Sequence, residues 1–287
     1  MLLNINKPEG ITSFAVVSKI RKLLNIKQIG HAGTLDPIAS GVLPVFVSKS
    51  TRLIQYIPKT KSYRATMILG IRTNTFDKEG EIISKVSPNT SEEEIISALK
   101  TFEGEIDQVP PKFSAIKLNG KKLYEYARKN IDIGEIPSRK VKIDKITFIS
   151  KEKEKVIFDI DCQSGVYVRS IINDLGENLG CGAMMQELVR TRSANLLLKN
   201  SVKLEALTSE NIKDYFISAK DIIEFPEIIL TEQEFKKINF GQYIDKNIIA
   251  QDNDLFKLIY NDKLIGIAYA KDNLIYPKTV ISTGETL

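Results

Sequence analysis

The chain has 287 residues, enough for one large core or two modest ones, and its 43% hydrophobic and 27% charged content describes a folded globular protein. His31 is the only histidine, which excludes a multi-histidine metal centre. The two cysteines, Cys162 and Cys181, are too few for a disulfide framework or a usual zinc-ligand set. Net charge is +5, a weak pointer to a polyanionic partner, and neither a leader pattern nor an apolar run approaching ~20 residues is evident, so a cytoplasmic protein away from membranes is expected.

In chain order, NKPEG at 6–10 reads as a turn. Residues 12–24 read as a helix with Thr12 or Ser13 as cap and an apolar stripe of Val16, Val17, Ile20, Leu23 and Leu24. Residues 30–44, GHAGTLDPIASGVLP, hold three glycines and two prolines, so turns rather than a regular helix are expected there. Strands are predicted around 63–71 and 155–162, where Val156, Phe158, Ile160 and Cys162 alternate with more polar positions. Between them Ser91 and Glu94 form a capping box for a helix ending at Gly104. A further helix is expected from about Arg169 through RSIINDLGENLG.

From Lys112 to Lys145, ten Lys and Arg stand against four Asp and Glu, interleaved with Phe113, Tyr124 and Tyr126. Concentrated positive charge beside stacking groups suits a nucleic acid, although a solvated helix face would carry the same charge. Beyond about 230 the composition shifts: residues 231–287 contain no arginine, seven lysines and eight acids. There Thr231 and Glu234 cap a short helix ending at Gly241, followed by turn-bounded strands.

Asp36 lies between Leu35 and Pro37 in the turn-rich segment, where the proline biases it toward an extended backbone. Read alone, an Asp-Pro pair more often does no more than cap a turn. Its neighbours change that reading. GHAGTLDPIASGVLP resembles the catalytic-loop motif of the bacterial tRNA pseudouridine-55 synthases, the TruB family. The likeness continues through NKPEGITSF at 6–14, KSYRATMILGIRTNTFDKEGEI at 61–82, GEIDQVPPKFSAIKLNGKKLYEYAR at 104–128, SGVYVRSIINDLGENLGCGA at 164–183 and LVRTRSA at 188–194. It covers most of residues 1–194 and is weak beyond them.

The resemblance implies that Asp36 is the catalytic aspartate, that His31 packs beside flipped RNA, and that Tyr63 is a stacking tyrosine. It implies that Arg169 pairs with the catalytic carboxylate, that Tyr167 lines the uracil pocket and that Leu188 is an apolar pocket residue. Lys7 and Pro8 would support the active-site loop, and the basic segment, with Lys112, Lys117, Lys121, Lys122 and Arg128 as RNA-backbone contacts, would be a thumb-like insertion gripping the T-arm. Two positions depart from the family pattern: Val166 stands where threonine is usual and Phe113 where tyrosine is common.

The implied fold is α/β (α+β). Its pseudouridine-synthase core, residues 1–228, has a mixed, mostly antiparallel sheet and the insertion at about 105–145. A small β-rich PUA-like RNA-binding domain follows at 229–287. The implied reaction is isomerisation of uridine 55 of tRNA by base flipping, without cofactor or metal, in a monomer needing no protein partner. Chemically, detaching uracil, turning it and rejoining it through carbon asks for a group that can act as nucleophile or base, and an arginine beside a carboxylate favours its charged form. A guide-dependent synthase acting on rRNA, a catalytically idle RNA-binding or tRNA-folding module and an aspartyl-phosphate hydrolase are the rivals. The last lacks a convincing set of metal-binding acids near Asp36.

Overall fold

The computed structural model describes residues 1–118, 120–129, 131–246 and 248–281. Residues 282–287 of the expected C-terminal domain, and Asn119 and Asn130 of the expected insertion, lie outside them. Two compact units are present: Met1–Leu35, Val42–Pro58 and Ala194–Leu287 form the first, and Asp36–Gly41 with Lys59–Ser193 the second.

The first unit opens with strand β1 (Leu2–Lys7) and helix α1 (Ser13–Leu24). Of the two candidate caps, Thr12 takes the role, its side chain accepting from the Ala15 N–H, while Asn25 ends the helix in the left-handed region and returns its N–H to the Arg21 carbonyl. Ser13 has another use. It is buried, and its hydroxyl both donates to the Leu35 carbonyl (3.0 Å) and accepts from the Leu35 N–H (2.9 Å), satisfying the backbone of the residue before Asp36. Val16, Val17 and Ile20 pack with Leu3, Ile5, Leu43 and Val45. Strand β2 (Ile29–His31) pairs antiparallel with the end of β3 (Ala39–Val47), and β1 lies between β3 and Val202–Lys203. Strand residues 30–31 and 39–44 thus occupy what reads in sequence as loop. Gly41 and Pro44 in the run mask the buried Val42, Leu43, Val45, Phe46 and Val47, whose burial outweighs them.

The second unit is built on β4 (Thr60–Leu69), a hairpin of β5 (Ile71–Thr73) and β6 (Ile82–Lys85), α2 (Glu92–Lys100) and β7 (Gly104–Gln108). The Ser91/Glu94 capping box starts α2 as expected; the helix closes at Thr101, one turn before Gly104. After β7 come the short hairpin β8 (Lys117–Leu118) and β9 (Lys121–Lys122), α3 (Leu123–Ala127), β10 (Arg139–Glu152), β11 (Lys155–Gln163), α4 (Val168–Asn178) and β12 (Ala183–Ser193). Since β7 and β10 pair antiparallel, residues 109–138 leave the sheet and return to it. The sheet runs β12-β4-β11-β10-β7, every pair antiparallel, with residues 39–41 added parallel along β12. It is mixed and mostly antiparallel. Helix α4 packs on β12, and Gly176 permits the approach, because a side chain there would strike the Ala183 backbone. Cys162 and Cys181 are buried free thiols, and burial pushes Cys162 up to about 12, as suits inert structural groups.

The first unit closes with α5 (Glu232–Asn239), started by the Thr231/Glu234 capping box, and a five-stranded sheet that includes Leu255–Tyr260, Lys263–Lys271 and Leu274–Val280. Ile228, Ile238, Leu258, Ile265 and Ile275 form its own core.

Candidate active site

Asp36 begins a tight turn. Its carbonyl accepts from the Ala39 N–H at 3.1 Å, with Pro37 at the second position, where its fixed φ suits a β-turn. Immediately after, Ala39, Ser40 and Gly41 pair with Leu188, Val189 and Arg190 of β12. Gly41 sits at φ +104°, and any side chain there would run into the Arg190 backbone, so glycine is required by both conformation and space. The Asp36 backbone is thus clipped to a central strand while its side chain stays about a third exposed.

Arg169 meets that carboxylate. Its Nη2 lies 2.8 Å from Asp36 Oδ2, and its Nη1 lies 3.1 Å from Asp77 Oδ2 and donates also to the Thr75 carbonyl. Nη2 donates further to the Phe113 carbonyl at 3.0 Å. Arg169 is the second residue of α4 and only 5% exposed. A cation there is opposed by both the helix dipole and desolvation, so the two carboxylates are what make its position tenable. Asp77 is 5% exposed on its side chain and is held by the Thr75 hydroxyl (2.6 Å) and the Glu79 N–H (3.1 Å). One acid of the triad is locked and buried; the other is open.

Tyr63 is the cross-strand partner of Arg190, whose guanidinium hydrogen-bonds its phenol. Burial raises the Tyr63 hydroxyl, the Arg190 charge opposes that shift, and the Asp36 charge adds to it, so the phenol is protonated at neutral pH. Tyr63 as a whole is only 7% exposed. Leu188, also buried, faces Ala39 on one side and Ala65 on the other, two positions along from Arg190 and Tyr63.

Lys61 shares the Tyr63 face, two residues earlier on β4. Burial, then the Arg190 charge, push its ammonium from 10.5 down to about 8. Between those values the unfolded chain binds the proton and the folded one does not, so stability rises with pH there, and at neutral pH the desolvation penalty is fully present. Lys61→Met is therefore expected to stabilise the protein at neutral pH by about 2–3 kcal/mol, the gain fading as pH climbs from 8 toward 10.5. Urea unfolding across that range measures it; a variant destabilised at neutral pH would contradict the assignment.

The other expected residues are distributed as follows. Tyr167 caps the start of α4, its backbone N–H donating to Gln108 Oε1 (2.8 Å) and its carbonyl accepting from Gln108 Nε2 (3.0 Å), with the Arg139 guanidinium 5.0 Å above its ring. His31 ends β2 and Lys7 ends β1, both in the first unit. Lys7 is fully buried, its ammonium donating to the carbonyls of Pro8 (2.8 Å) and Ile11 (2.7 Å), so it knits the NKPEG turn. Lys112, Lys117, Lys121 and Arg128 are exposed, and Lys122 and Arg128 lie over the Tyr124 ring at 5.4 and 5.3 Å. Lys117 stands directly opposite Lys122 across the small hairpin, a like-charge pair that is unfavourable without an anion. Sequence reasoning gave no role to Asp77, Arg190 or Gln108, although each stands inside a quoted motif, and read Ser13 only as a candidate helix cap. Among the described residues no cluster of three or more His, Cys, Asp or Glu could hold a metal, and no helix is long and apolar enough to cross a membrane.

Comparison with known proteins gives a consistent picture. Residues 21–168 match the family described as TruB family pseudouridylate synthase (N terminal domain), residues 169–223 the tRNA pseudouridylate synthase B C-terminal domain, and residues 226–281 the C-terminal domain of pseudouridine synthase II TruB. The tRNA pseudouridine synthase B of Clostridium kluyveri is 42% identical over 94% of this chain and 96% of its own length. That of Alkaliphilus oremlandii is 47% identical over 75% of this chain and 73% of its own. Among solved structures, a chain of a Cbf5-Nop10-Gar1 complex has a TM-score of 0.70 at 30% identity, covering 94% of this chain and 78% of that one. A chain of an H/ACA RNP bound to a substrate RNA containing 2'-deoxyuridine has a TM-score of 0.71 at 26% identity, covering 98% and 85%.

Proposed function

Because this chain belongs to the TruB family of pseudouridylate synthases, we propose that it converts uridine 55 in the T-arm of tRNA to pseudouridine with the Asp36 carboxylate as the reacting group. The observation that carries the reading is the 2.8 Å contact of Arg169 with an Asp36 that stays open to solvent on a rigid turn. Isomerisation breaks one glycosidic C–N bond and forms one C–C bond within the same nucleotide, so no electron or group donor is needed and no cofactor is invoked. A carboxylate serves for attack on the ribose, for addition to the ring or for removal of a sugar proton.

A uridine stacked in a folded arm cannot reach such a group, so it is extruded. Tyr63 then receives its face, Leu188 and Tyr167 complete the pocket, and His31 packs beside the displaced RNA, with Lys7 and Pro8 supporting the loop. Residues 1–228 carry the catalysis and 229–287 act as a small RNA-binding domain. The protein works in the cytoplasm as a monomer without a protein partner. Mapping pseudouridine in tRNA from cells with and without the gene tests the substrate: loss of the modification at position 55 is expected, and its persistence would contradict the proposal.

The insertion grips the RNA backbone through Lys112, Lys117, Lys121, Lys122 and Arg128. The opposed Lys117 and Lys122 support this, because a phosphate between them relieves their repulsion. Replacing Lys117, Lys121 and Lys122 together by Gln is expected to weaken tRNA binding and to flatten the slope of log affinity against log salt by about 2 to 3. Filter binding across a salt series reads the slope directly, and parallel lines for variant and wild type would rule out phosphate contact by these lysines.

A further inference from the structure

Two arginines sit one residue apart near the end of β12, and the strand sends them to opposite faces. Arg190 is in register with Tyr63, yet Arg192 is in register with Ser62, so Thr191 is an extra residue in the ladder. Without this bulge the alternation of a strand would put both arginines on one face. With it, Arg192 turns to the face of β4 that carries Thr60 and Ser62, donating to both hydroxyls and pairing with Asp161 at 3.2 Å while about a third exposed. Arg190 turns the other way and is fully buried. Burying a guanidinium is costly, and a polar partner is needed to hold it.

We propose that Arg190 is a positioning residue for turnover: its side chain fixes the Tyr63 phenol, and its backbone carries the strand segment that follows Asp36. This rests on the reading of the site given above. A guanidinium has donors only, so in their hydrogen bond the phenol oxygen must accept, and the phenolic proton is left for donation elsewhere. The bond therefore sets ring orientation and hydroxyl direction together. The same residue leaves no room for a side chain on Gly41, which fixes the spacing between the Asp36 turn and β12.

The test is a double-mutant cycle on the single-turnover rate with unmodified tRNA, tRNA affinity being measured in parallel. Arg190→Met is expected to slow turnover at least about tenfold while affinity changes less than about threefold, with Arg190→Lys falling between it and wild type. In a Tyr63→Phe background, adding Arg190→Met is expected to cost nothing further, within about twofold, because both partners of the bond are then gone. A merely structural arginine would slow both backgrounds by the same factor. Losses that multiply, or a folded Arg190→Lys and Arg190→Met with wild-type rates, overturn the inference. Should Arg190→Met fail to fold, Arg190→Lys in the two backgrounds gives the same comparison. A wild-type protein that makes no pseudouridine in tRNA would instead sink the underlying functional reading.

Discussion

Asp36→Asn is expected to bind tRNA as tightly as the wild type and to form pseudouridine roughly 10⁴-fold more slowly or not at all. The amide is nearly isosteric, and the turn closed by the Ala39 N–H uses the backbone of residue 36 rather than its side chain, so the loop is kept. What disappears is the negative oxygen, and with it the charge partner 2.8 Å from Arg169 on the open side of the triad. Affinity and single-turnover rate measured on the same preparation separate the two effects. Turnover within tenfold of wild type would remove Asp36 from the chemistry.

Asp77→Ala is expected to give the largest loss of stability of any single substitution around the site, about 3–5 kcal/mol. Arg169 and Asp77 are each 5% exposed on their side chains, so truncation leaves a cation buried at the N-terminal end of a helix. The remaining carboxylate, Asp36, is about a third exposed and screened by water, and offsets only part of that cost. The Thr75 hydroxyl and Glu79 N–H lose their acceptor as well. Turnover should fall with it, because Arg169 is no longer fixed from behind. The urea midpoint is the direct measure, and a shift equivalent to less than about 1 kcal/mol would mean that the pair contributes little.

Much of the scaffold is legible in the residues because its signals are local. Thr12 and the α1 stripe, the Ser91/Glu94 and Thr231/Glu234 boxes, and the alternation from Val156 to Cys162 all act within one or two turns of chain. The Asp36 turn is legible for the same reason, since Pro37 restricts its backbone directly. What is not legible depends on contacts between distant segments. Asp77 and Arg169 are 92 residues apart, and nothing in the spacing marks the aspartate as the buried partner. The bulge at Thr191 leaves no mark in LVRTRSA, so the pattern does not say which arginine turns inward. Strand β3 is hidden by Gly41 and Pro44. Tyr63 has the composition of a stacking residue, but its burial comes from the assembled fold and from no feature of KSYRA.

The most direct measurement of the whole account is made on purified protein and unmodified tRNA alone, with no guide RNA or second protein, mapping pseudouridine nucleotide by nucleotide. Conversion at position 55, absent with Asp36→Asn, is the predicted result. No conversion, or conversion only when a guide RNA and partner proteins are supplied, would contradict it.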